Sequence, residues 1–77
     1  MKKTFTANEI KRFAEYSKDI SDDAFDTMDY SKLDYVNEIW GIIWETMDKV
    51  NYDLSEGKSL TLNMKPTYIE YMTKVSA

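Results

Sequence analysis

The chain has 77 residues, 43% of them hydrophobic and eleven of them aromatic, with a net charge of −4 and neither cysteine nor histidine. A chain of that length forms one small domain, and without disulfide or zinc staples it must hold together by apolar packing. The same absences exclude thiol nucleophiles, imidazole bases and His-ligated metals, and the aromatic content excludes a disordered chain.

The charge is unevenly spread. Residues 1–18 carry Lys2, Lys3, Lys11, Arg12 and Lys18 against two glutamates, a net of +3. Residues 19–56 carry eleven acids against Lys32 and Lys49, a net of −9, and residues 57–77 return to +2. An acidic centre between two mildly basic ends, with a pI near 4.6, disfavours direct nucleic-acid binding, where phosphate contacts demand a basic excess. The start, Met1-Lys2-Lys3, has the charge of a signal peptide's first region, but residues 4–8 supply no apolar run behind it. No window approaches the roughly 18 apolar residues of a membrane span, so a cytoplasmic, membrane-free protein is expected.

Helix signals begin early. Thr6 and Glu9 have the spacing of a capping box, and Phe5 and Ile10 that of a hydrophobic staple. They predict a helix from Ala7 to about Asp19, with Ile10, Phe13, Ala14 and Ile20 inward. Ser21 then offers a second cap, with Asp22 and Asp23 in the dipole-favoured first turn. A separate short helix is predicted within 21–30, its apolar face Ala24, Phe25 and Met28, its acids Asp22, Asp26 and Asp29 outward.

The dominant pattern is at 33–54, where Leu33, Val36, Trp40, Ile43, Met47, Val50 and Leu54 recur at alternating steps of three and four. A helix of that span is about 33 Å long, enough to organise the whole domain. Ser31 is the expected cap, with Asp34 three residues on, and Gly57 the expected left-handed stop. Trp44 joins this main stripe, Tyr35, Ile39 and Ile42 form a second one, and 40–44 is apolar nearly all round, as in a helix covered on two sides. Gly41 inside that run suggests close approach by another element, because glycine costs about 1 kcal/mol in a helix interior.

Residues 59–65 alternate strictly, with Leu60, Leu62 and Met64 on one side, which is a strand signal. The short run Lys2-Lys3-Thr4-Phe5 is one candidate partner, and an extended segment crossing the helices is the other. Pro66 suits the first turn of a last helix that presents Tyr68, Ile69, Met72 and Val75 on one face. The predicted fold is therefore mainly α: a single domain over 1–77, built around one long central helix, with a minor extended segment near 59–65.

Function is read from surfaces, since no catalytic motif, phosphate loop or cofactor site is present in the sequence. The acids lack the spacing, glycine and distal glutamate of a calcium loop. A non-enzymatic role without metal or cofactor is the expectation. Carboxylates along a helix complement a basic surface, including one that normally binds nucleic acid. Asp22, Asp26, Asp29 and Glu38 are the candidate charges, and Tyr30, Tyr35 and Ile42 the candidate anchors. A solvated face that only keeps a small protein soluble accounts for the same acids. No family motif is recognisable, but the composition resembles that of small phage and mobile-element proteins that inhibit a host enzyme. That resemblance implies an inhibitor or regulator acting by occupancy. The other function class that fits is a structural or assembly protein, homo-oligomeric through the long helix.

Overall fold

Among the described residues, two strands and three helices follow one another in the order β1 (Lys2–Phe5), α1 (Ala7–Thr27), α2 (Ser31–Val50), β2 (Leu60–Asn63) and α3 (Pro66–Val75). The structure, a computed structural model, describes residues 1–50 and 57–77, with 48–50 described as backbone only. The expectations for Val50 and Leu54, and for a helix running on to Gly57, fall outside the described side chains or residues. Gly57 itself has φ +75°, the left-handed conformation glycine adopts without strain.

β1 finds its partner in β2. The pair is antiparallel, with Lys2 opposite Asn63, Thr4 opposite Thr61 and Phe5 opposite Leu60. The ladder continues one step further through Met64 N–H, which donates to the Met1 carbonyl at 2.9 Å. Alternation does the sorting: Phe5, Leu60, Leu62 and Met64 are buried, while Thr4 and Thr61 face outward and share a 2.8 Å hydroxyl bond.

The first cap forms as its spacing demands. Thr6 Oγ1 accepts from Glu9 N–H at 3.2 Å, and Glu9 Oε1 accepts from Thr6 N–H at 2.9 Å. The helix it opens does not stop near Asp19. It runs unbroken to Thr27, so the two helices expected over 7–30 are one. The reason lies on its inner face, where Ile10, Phe13, Ser17, Ile20 and Ala24 step by three and four past the predicted break. Ser17 hides this stripe in the sequence. Its hydroxyl donates to Phe13 O at 2.7 Å and accepts from Trp40 Nε1 at 2.8 Å, so a half-buried polar residue sits on the inner face with its hydrogen bonds satisfied.

α2 is the central element and is covered on two sides, by α1 and by β2. Among its described side chains Val36, Ile39 and Ile43 are fully buried, meeting Phe5, Phe13, Leu60, Leu62 and Met72 in one cluster. The buried line is thus rotated from the heptad series. Ile39, expected on the second stripe, is at the centre of the core, and Trp44, expected on the main one, is 59% exposed. Phe13 stacks on Trp40 with ring centroids 5.6 Å apart, fastening α1 to α2. The close neighbour expected at Gly41 is missing, because a Cβ there would meet nothing within 4 Å among the described residues.

α3 opens with Pro66 in its first turn and buries Tyr68, Ile69 and Met72. Its end is tied to α1 by Arg12 Nη1, which donates to Ser76 O at 3.2 Å, and to β1 by Lys3 Nζ, which donates to Thr73 Oγ1 at 2.7 Å. Mainly helical with one small antiparallel ribbon, the architecture agrees with the fold class read from the sequence.

Candidate functional site

The junction between α1 and α2 gathers most of the residues singled out above. α1 ends on Met28, whose φ of 60° and ψ of 21° are left-handed and whose N–H donates to Ala24 O at 2.8 Å. That position usually belongs to glycine, because a Cβ in the left-handed region costs about 1–2 kcal/mol. Asp29 follows, two residues ahead of α2. Its Oδ1 accepts from Ser31 N–H at 3.1 Å and from Ser31 Oγ at 2.8 Å, so the capping carboxylate precedes the serine predicted for the role. The Ser31 backbone bond, followed by the hydroxyl, holds the Asp29 carboxyl below its ordinary range.

With Ala24 the last inward residue of α1, Phe25 lies about 100° further round the helix and Met28 lies beyond its end. Both were expected inside. They are instead 69% and 77% exposed, and Tyr30 is 40% exposed. Phe25 and Tyr30 meet edge to face with centroids 6.3 Å apart and planes at 86°. Around them stand Asp22, Asp23, Asp26 and Asp29, all exposed. Over residues 19–34 the chain holds six carboxylates against Lys32 alone, a net of −5. This end of the molecule is an acidic tip with an apolar centre.

The remaining candidates lie apart from it, along the seam of α2 and α3. Tyr35 is half-buried, its ring edge-on to Tyr68 and to Tyr71 at 4.9 Å in each case. Glu38 is exposed, yet its Oε2 accepts from the Tyr68 hydroxyl. That bond, reinforced by burial, raises the Tyr68 pKa. Burial first, and then a 2.8 Å bond to the Tyr16 hydroxyl, raises that of Tyr71. Ile42 is half-buried and packs against the core. A shallow cavity of about 320 Å³ on this seam is lined by Ser31, Lys32, Tyr35 and Tyr71.

Asp22, Asp26, Asp29 and Tyr30 are therefore brought together, whereas Tyr35, Glu38 and Ile42 serve contacts within the fold. Phe25 and Met28 are the members that sequence reasoning assigned to the interior. The signal that places them outside is the stripe from Ile10 to Ala24, legible only once Ser17 is accepted as inward. The tip offers charge and apolar area, the materials of a contact surface, and both perturbed phenols move away from neutrality. Among the described residues no group of three or more carboxylates converges to hold a metal ion, and no helix is long and apolar enough to cross a membrane. No protein family, curated protein or solved structure matches the chain.

Proposed function

We propose that the protein is a non-enzymatic inhibitor or regulator that acts by occupancy, docking its acidic tip on a basic surface of a partner protein. A surface that otherwise holds nucleic acid is the favoured target, since it already carries the complementary potential. The observation that carries the reading is the exposure of Phe25, Met28 and Tyr30 inside a region of net charge −5. Acids alone serve solubility. Three large apolar side chains left in water at one end serve contact, since interface energy concentrates in such anchors ringed by polar groups. Met28 adds weight, because it occupies a strained backbone position without contributing buried area, and such strain collects at functional sites.

The test is affinity capture from the source cell's lysate, comparing the native chain with the triple variant Asp22→Lys, Asp23→Lys, Asp26→Lys. Asp29 is spared because it anchors α2. A partner captured by the native chain, lost at high salt and absent with the folded triple variant supports docking through the tip. Equal capture by both would remove it.

A second reading, homo-oligomerisation through α2, is favoured by Trp44, exposed beside Trp40 at a centroid distance of 6.1 Å. Sedimentation over a wide concentration range decides it, and a monomer throughout would exclude it.

A further inference from the structure

We infer that the tip reads arginine rather than positive charge in general, so that the partner surface it fits presents arginine side chains; this rests on the docking reading above and narrows its chemistry. The acids of the tip are not simply clustered. They are interleaved with aromatic rings. Asp22 precedes Phe25 by three residues on the same helix, which makes the two side chains surface neighbours, and Asp26 follows Asp22 by one turn. Asp29 adjoins Tyr30 in the turn.

An edge-to-face pair engages the edge of one ring and one face of the other. The Phe25–Tyr30 contact therefore leaves three ring faces unused, on side chains that are 69% and 40% exposed. A guanidinium is planar, weakly hydrated and carries its N–H donors around its rim. Laid flat on a ring, it still directs those donors sideways into a neighbouring carboxylate, so one arginine satisfies ring and acid together. A lysine ammonium is compact and strongly hydrated, and it takes the acid or the ring face less completely. With Asp22 and Asp26 about 6 Å apart along the axis, the matching ligand carries arginines about one helical turn apart. Met28, 77% exposed and two residues before Tyr30 in the chain, supplies a flexible apolar contact for the aliphatic stems.

The test uses a pair of short fluorescent peptides, identical except that one carries arginines where the other carries lysines, titrated at low salt and read by anisotropy. Each exposed ring contributes a few-fold preference, so the arginine peptide is expected to bind the native chain roughly tenfold more tightly. In the double variant Phe25→Leu, Tyr30→Leu, which keeps apolar area but removes the ring faces, the ratio is expected to fall to about one. Equal affinity for both peptides in the native chain, or a preference that survives the double variant, overturns the arginine inference and leaves charge-driven docking standing. Binding of neither peptide also overturns it, and the docking reading is then decided by partner capture alone.

Discussion

Replacing Gly41 with alanine isolates one energetic term. The residue lies ten positions into α2, a helix of twenty residues, and is exposed. A Cβ built there meets nothing within 4 Å among the described residues, so neither overpacking nor new burial enters. What remains is helix propensity, which favours alanine over glycine by about 0.8–1.0 kcal/mol. For a domain of this size that difference raises the thermal midpoint by about 4–8 °C. Far-UV circular dichroism followed through heat and through urea measures it, and an unchanged urea slope shows that only stability moved. A midpoint that stays put or falls would refute the reasoning, because it would require a neighbour or a backbone conformation at Gly41 that the described residues do not show. If the variant is more stable yet loses its partner, the bare backbone at Gly41 is part of the contact surface.

Other substitutions separate the exposed aromatic from the buried one. Phe25→Ser removes a side chain already 69% exposed and is expected to cost less than about 1 kcal/mol, whereas Phe13→Ala, fully buried against Trp40, is expected to cost about 3–5 kcal/mol. Comparable losses from urea titrations of the two would place Phe25 back in the core. Met28→Gly relieves the left-handed strain and is expected to stabilise by about 0.5–1 kcal/mol after glycine's entropy is counted; a loss of stability would show that the methionine side chain supports the turn. Glu9 is held below its ordinary 4.5, chiefly by the Thr6 backbone bond, and Asp29 below its ordinary 3.8 by Ser31. A lowered folded pKa contributes stability that is complete above the unfolded value and lost as pH falls through the folded one. The urea midpoint should therefore decline below about pH 4.5, and the double variant Glu9→Gln, Asp29→Asn should decline less steeply. Parallel acid profiles would exclude these two carboxylates as its source.

Local signals transferred well from sequence to structure because each is settled within a few residues. The Thr6/Glu9 box, the alternation at 59–65, Pro66 in a first turn and the left-handed Gly57 need no knowledge of distant chain. The errors arose where a distant element decides. Ser17 looks like a gap in the stripe of α1 until Trp40, 23 residues away, donates to it. In α2 the apolar run around Ile39 to Trp44 fits more than one buried line, and the covering β2 selects Val36, Ile39 and Ile43. The pairing of β1 with β2 was one of two open alternatives, since four residues carry too little pattern to name a partner. The acids of the tip were legible as such. Their apolar centre was not, because Phe25 and Met28 are hydrophobic residues in a hydrophobic-looking helix, and only the register of α1 turns them outward.

The ribbon of β1 and β2 sets a timetable for the newly made chain. The strand made first pairs with residues more than fifty positions later, Thr4 with Thr61 and Phe5 with Leu60. The α1–α2 hairpin has its own contacts as soon as both helices exist, but its inner face of Ile10, Phe13, Val36, Ile39 and Ile43 waits for Leu60, Leu62, Ile69 and Met72 to cover it. At roughly 5–20 residues per second, the interval between synthesis of Ile43 and of Met72 is about 1.5–6 s. Until those covering residues fold onto it, the helical pair has an open apolar side, the kind of surface chaperones bind and aggregates grow from. A chain that ends before residue 60 never closes that side.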